Sequence, residues 1–182
     1  MKKGFLKLMI VAVSVMAACC QKPSDADFTV RGEIENVEDD YLILLFKSNL
    51  DGSRTTIAVD TLKNGRFEFS ASAETGVQYH VIAPHVGIFP SMALDFYVEP
   101  GASIKIHGQD YLTKNWTIKS KVKEQKIYQS YFDEVDELFK ELQLLELQCR
   151  KEGRSGDYLN LNKPYQANIN SIQLHWLKKQ KQ

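Results

Sequence analysis

The chain lacks most of the features that mark a common reaction. Its 182 residues hold three cysteines, Cys19 and the adjacent Cys20, then a distant Cys149. That count excludes a disulfide-stapled miniprotein. With no Cys-x-x-Cys there is no paired thiol for redox exchange. Neither sign of charge prevails, because 23 Lys and Arg balance 23 Asp and Glu. Without a basic stripe, no nucleic-acid partner is expected. There is no Gly-rich phosphate loop, no Gly-x-Ser-x-Gly elbow and no nucleotide fingerprint. No apolar run reaches the ~20 residues that a membrane-spanning helix needs. What remains is 43% hydrophobic and 25% charged. That composition excludes a disordered chain and fits one folded domain with an appendage.

The first residues read as an address. Lys2, Lys3 and Lys7 precede an apolar run from Leu8 to Ala18 that only Ser14 interrupts. This is the length of a signal-peptide core. Met16-Ala17-Ala18-Cys19 then resembles the lipobox of bacterial lipoproteins, with Met16 where Leu is usual. The expectation is a signal peptide over 1–18, with lipid on the Cys19 thiol. Cys20 is an alternative acceptor, and a plain secretory signal is the bland alternative. Several acyl chains hold a protein firmly on a membrane, where one holds it only marginally. Removing residues 1–18 leaves 20 basic and 23 acidic residues, a formal net charge of −3. Residues 19–27 are polar with one proline and read as a tether.

Residues 28–118 are expected to form an antiparallel β-sandwich or barrel-like domain of about eight strands. Phe28–Ile34, Arg66–Ser70 and Ser103–His107 alternate apolar and polar side chains, the period of a half-buried strand. Tyr41–Phe46 is almost wholly apolar, and Thr55–Leu62 is β-branched. Val77–Ile82, Ala93–Val98 and Trp116–Ile118 supply further strands. Asp51-Gly52, Asn64-Gly65 and Pro100-Gly101 are turn pairs between them.

Two of these stretches carry a resemblance: Asn64–Phe69 and Phe96–Ile106. With the opening Phe28–Gly32, they resemble the domain-of-unknown-function family 4369 over about residues 27–145. The resemblance implies a β-sandwich-like domain of Gram-negative lipoproteins, one that often precedes a thioredoxin-like domain. It implies a lipid-anchored protein of the bacterial envelope, on the outer membrane. It supplies no catalytic residues.

Residues 121–182 are expected to be two helices. Tyr128, Tyr131, Phe132, Val135, Leu138, Phe139, Leu142, Leu145 and Cys149 recur at three- and four-residue steps, one apolar helix face. Gly153 to Gly156 breaks the pattern, and Asn162-Lys163-Pro164 restarts it. Leu144, Leu147 and Trp176 are apolar beyond what one face needs; packing on the chain's own β domain is the plain reading of these helices, and contact with a protein partner is the other. In relatives of the resembled family such helices lead into the thioredoxin-like domain, and this sequence stops there.

The search for chemistry finds little. His80, His85 and His107 lack metal-ligand spacing, and His175 has no partner in sequence. Asp95 and Glu99, four apart, read as one strand face of solvated acids, and Asp39-Asp40 as an acidic turn. No catalytic residue, metal site or cofactor is expected. Phe89, Phe96, Tyr97, Tyr111 and Trp116 fall near strand or loop ends, where rings line grooves or fill cores. The leading expectation is a lipid-anchored, non-catalytic binding or scaffold protein. The alternatives are the accessory half of a thiol–disulfide oxidoreductase and a glycan- or peptide-binding lipoprotein.

Overall fold

The computed structural model describes residues 27–74, 76–82 and 92–179. The leader, Cys19, Cys20, His85, Phe89 and all of the tether but Asp27 lie outside the described residues.

Eight strands form two four-stranded sheets. The strands are β1 (Asp27–Ile34), β2 (Leu42–Ser48), β3 (Arg54–Thr61), β4 (Arg66–Ser72), β5 (Gln78–Ile82), β6 (Leu94–Tyr97), β7 (Ser103–Gly108) and β8 (Thr117–Lys119). The first sheet has the order β4-β1-β7-β8 and the second β3-β2-β5-β6. Alternation decides which side chains go inside. In the first sheet Phe28, Val30, Ile34, Phe67, Phe69, Ile104 and Ile106 turn inward; in the second, Ile43, Leu45, Tyr79, Val81, Leu94 and Phe96. The Phe28 ring meets the Tyr79 ring from the other sheet edge to face, 4.8 Å between centroids. The fold is a mainly antiparallel sandwich followed by helices, as the strand pattern predicts.

One pairing departs from the antiparallel expectation. β1 and β7 are parallel, with Val30 opposite Ile104 and Gly32 opposite Ile106. Alternation has a period of two in either orientation, so it carries no sign of direction. The chain reaches β7 from β6, a strand of the other sheet, and so enters beside β1 by a crossover rather than a hairpin.

Asn64 and Gly65, at φ +50° and +71°, turn the chain from β3 into β4. Lys63 and Arg66 exchange two backbone hydrogen bonds across this turn, each 3.0 Å. Asp39, read from sequence as half of a solvated acidic pair, accepts the Asn64 and Gly65 amides at 2.9 and 3.2 Å.

A 3-10 turn at Thr113–Asn115 precedes β8, so the last strand begins one residue later than predicted. Helix α1 (Lys123–Lys151) follows, then a short α2 (Tyr158–Leu161) and α3 (Lys163–Lys179). Gly153 at φ +70° ends the first helix. The four-residue α2 lies between the break at Gly153–Gly156 and the restart at Asn162-Lys163-Pro164, where the sequence suggested no helix. The predicted stripe is real, with Tyr131, Val135, Leu142 and Cys149 buried. The two sheets differ in their outer faces. That of the first carries exposed ion pairs, Arg31–Glu68 at 2.9 Å and Arg66–Glu33 at 2.8 Å. The second has α1 against its edge strand, β6.

Candidate functional site

β6 is an edge strand, and an edge leaves backbone groups without ladder partners. Side chains of α1 and the 3-10 turn take them up. Gln125 accepts the Tyr97 amide at 2.9 Å. Thr113 Oγ1 donates to the Met92 carbonyl at 2.7 Å, and Lys114 Nζ to the Ala93 carbonyl at 2.7 Å. Gln143, fully buried, accepts the Lys114 amide at 2.9 Å and donates to Thr113 Oγ1 at 2.8 Å. The Lys114 ammonium also lies over the Phe132 and Phe139 rings, 5.0 and 4.8 Å from their centroids. Burial pulls its pKa down, and Asp95 and Asp136 oppose that.

Strand alternation turns a second polar set toward the helix. With Tyr79, Val81 and Phe96 inside, Gln78, His80 and Asp95 face out. His80 and Asp95 are direct cross-strand partners. His80 Nδ1 lies 2.6 Å from Asp95 Oδ1, and His80 Nε2 lies 2.6 Å from Ser48 Oγ on the strand to its other side. Tyr128 of α1 donates its hydroxyl to Asp95 Oδ2 at 3.1 Å and accepts from Gln78 Nε2 at 2.9 Å. In the neutral ring the network assigns the proton to Nδ1, leaving Nε2 to accept the Ser48 hydroxyl. Burial pushes the Asp95 carboxyl up. The His80 hydrogen bond, the Lys114 charge and the Tyr128 hydroxyl outweigh it and hold the pKa below the ordinary aspartate value. Burial beside that carboxylate pushes the Tyr128 phenol well up.

Serine, histidine and aspartate in this order have the connectivity of an acyl-transfer triad. The His80 side chain is only 3% exposed. Neither of the two concavities beside α1 has Ser48 or His80 in its wall. The relay ties strand β2 through β5 and β6 to the helix, from the half-buried Ser48 to Tyr128.

One of those concavities is a groove of about 440 Å³ between α1, α3 and the end of β6. Tyr97, Tyr128, Tyr131 and Trp176 line it, together with Ile127, Gln173, Leu177 and, among the charged residues, Glu124. Neighbouring rings sit 5.3 Å (Tyr97–Tyr128), 6.3 Å (Tyr128–Tyr131) and 5.7 Å (Tyr131–Trp176) apart between centroids. They stand at 77°, 46° and 57° to one another.

The ring residues singled out from sequence do not share one surface. Phe96 is fully buried in the sandwich core and lines no groove. Tyr97, its neighbour on the opposite strand face, enters the aromatic groove. Trp116 is 5% exposed, presses on Gly108 and donates Nε1–H to the Asp110 carbonyl at 2.8 Å. Tyr111 meets Tyr41 edge to face. The acids also separate: Asp95 is in the relay, whereas Glu99 lies beyond the end of β6 and is exposed. His80 and His107 belong to different sheets, and His175 is exposed on α3. Among the described residues no three His, Cys, Asp or Glu side chains come together as a metal site. Sequence reasoning missed the Ser48–His80–Asp95 chain and the buried glutamines. The one available signal was Gln143, a glutamine between the stripe residues Leu142 and Leu145.

No curated protein matches the chain. Among solved structures it is similar to one titled "Trapped Toxin", at 11% identity and TM-score 0.27 over 53% of this chain and 23% of that one. A disulfide-locked mutant of intermedilysin with human CD59 gives 12% and 0.25 over 53% and 24%. The membrane-binding domain of pneumolysin gives 10% and 0.24 over 53% and 97%. The chain thus spans less than a quarter of the first two, and likeness this slight assigns neither fold nor function. Residues 28–128, from the start of β1 to Tyr128 of α1, match the family described as "Domain of unknown function (DUF4369)", and the chain belongs to that family.

Proposed function

We propose that the protein is a lipid-anchored component of the bacterial envelope, on the outer membrane, whose sandwich and covering helices form a non-catalytic binding domain. The anchoring rests on one observation, the Met16-Ala17-Ala18-Cys19 motif directly after a short apolar run with a lysine-rich start. Among the described residues no helix is long and apolar enough to cross a membrane. The binding role is supported by the aromatic groove, where Tyr97, Tyr128 and Trp176 remain partly open while Tyr131 and the sandwich rings are buried. The non-catalytic reading is supported by the concavities beside α1, neither of which has Ser48 or His80 in its wall.

Intact mass of the protein extracted from its native membranes tests the anchor. Acyl chains on Cys19 as the first residue of the processed protein are expected. The Cys19→Ala variant is expected to accumulate as uncleaved precursor, and normal maturation of that variant would overturn the anchoring. A second reading is favoured by the exposed Leu144, Leu159, Leu161, Leu174 and Leu177 on the helices. They suit a protein partner, and a thioredoxin-like domain would make this chain the accessory half of an oxidoreductase. Cross-linking in native membranes tests that reading through the identity of what is captured on α3.

A further inference from the structure

We infer that the groove between α1 and α3 is an aromatic cage for a compact organic cation of the quaternary ammonium type. This names a ligand class for the binding role proposed above.

Four rings line the groove beside Ile127, Gln173 and Leu177, and each stands at a wide angle to its neighbour. Rings at these distances and angles pack edge to face or tilted on one another, which leaves their remaining faces to the groove they line. A cation over an aromatic face is attracted by the ring quadrupole, and several faces around one site recognise methylated ammonium groups. Trp176 is the strongest such ring by type. Its orientation is fixed by the Nε1–H hydrogen bond to Ser130 Oγ at 3.3 Å. Tyr128 is made more electron-rich by its position, since its hydroxyl donates to the Asp95 carboxylate at 3.1 Å.

Charge points the same way. Among the described lining residues Glu124 is the charged one, exposed at the rim, and no Lys or Arg is there. An anionic rim over aromatic walls favours a cation and disfavours an anionic sugar or a phosphate. The same helix already holds a cation on rings one turn further along, where Lys114 sits over Phe132 and Phe139. The volume suits a small molecule, and the walls offer few polar atoms to replace the hydration shell of a primary ammonium. A methylated ammonium, weakly hydrated, gives up least on entry.

The experiment is a titration of the full chain, in a non-ionic detergent free of ammonium groups, with choline and with tetramethylammonium. Trp176 is one of two tryptophans, and the other, Trp116, is buried away from the groove, so emission reports on the site. Calorimetry gives the affinity. The control is 3,3-dimethylbutan-1-ol, the neutral isostere of choline. The cage predicts binding of both cations, and binding of the isostere about tenfold weaker or less. Glu124→Gln, at an exposed position that leaves the fold intact, is expected to weaken choline about threefold to tenfold. Trp176→Ala, checked for retained helix by circular dichroism, is expected to abolish it. Vesicles of phosphatidylcholine separate the sources: choline binding without vesicle binding assigns a free cation, and binding of both assigns the lipid headgroup. Equal binding of the isostere and choline would overturn the cation cage while leaving an apolar ligand groove. Absence of any binding by the folded chain would overturn the cage as well.

Discussion

Tyr128 and Asp95 join helix α1 to the sheet through one carboxylate: the tyrosine hydroxyl donates to Oδ2 at 3.1 Å, while Oδ1 lies 2.6 Å from His80 Nδ1. The junction sits between two features with different tasks. On one side is the relay through His80 to Ser48; on the other, the rings of the groove. Anything that loosens the carboxylate releases the Tyr128 ring from its fixed position in the groove wall. Stability of the helix–sheet interface and geometry of the binding surface are therefore linked through a single side chain.

Asp95 gives the interface an acid limit. Its folded pKa is depressed, so the unfolded chain binds the proton more readily, and stability rises with pH through that window. The stabilisation is complete above the ordinary aspartate value and is lost as pH falls through the lower folded value. Urea unfolding between pH 7 and 2 is expected to show that loss. Asp95→Asn is expected to cost roughly 1.5–3 kcal/mol at pH 7, the worth of hydrogen bonds to a charged group. It should also flatten the acid limb. An unchanged limb would remove Asp95 from this role.

Ser48→Ala separates clamp from catalyst. A clamp loses one hydrogen bond, about 1 kcal/mol, with no chemical activity to lose. Wild-type protein is therefore expected to resist a fluorophosphonate probe, read by intact mass. A covalent adduct on Ser48 that vanished in His80→Gln would overturn the non-catalytic reading.

The strands were legible because each needs only its own alternation. Phe28–Ile34 and Ser103–His107 declare their buried faces without knowledge of their neighbours. Their mutual direction was illegible, since parallel and antiparallel strands alternate alike. The relay was illegible for a related reason. Ser48, His80 and Asp95 meet only because β2, β5 and β6 adopt one register, and register is set by the packed sheets. Asp95 was grouped with Glu99 because spacing alone was counted, and the strand ends before Glu99. Trp176 was legible as an apolar surplus, but its ring neighbours depend on how α3 folds back against α1.

Gly32 is a position where a methyl group has no room. It faces inward on β1 opposite Phe67, and a Cβ there would lie 1.9 Å from that ring. Gly32→Ala is expected to destabilise by about 1–3 kcal/mol through overpacking. Gly32→Ala with Phe67→Leu should recover part of that loss, because the smaller side chain vacates the contested space. Chemical unfolding of the two single variants and the double variant measures the coupling.

Gln143 carries the last prediction, since it opposes a simple hydrophobic argument. It sits fully buried between Leu142 and the exposed Leu144, where Leu would be favoured by transfer energy alone. Its amide, however, accepts the Lys114 N–H and donates to Thr113 Oγ1. Gln143→Leu leaves the Lys114 amide without that acceptor in a site closed to water. An unsatisfied buried donor costs about 1–3 kcal/mol, comparable to or larger than the gain from a more apolar side chain. The variant is therefore expected to be less stable, and the loss should be local to the 3-10 turn and the edge of β6. Hydrogen exchange should rise at Lys114 and Asn115 before it rises in β1 or β7. A variant more stable than wild type, with unchanged exchange there, would show that the glutamine does not hold the turn to the helix.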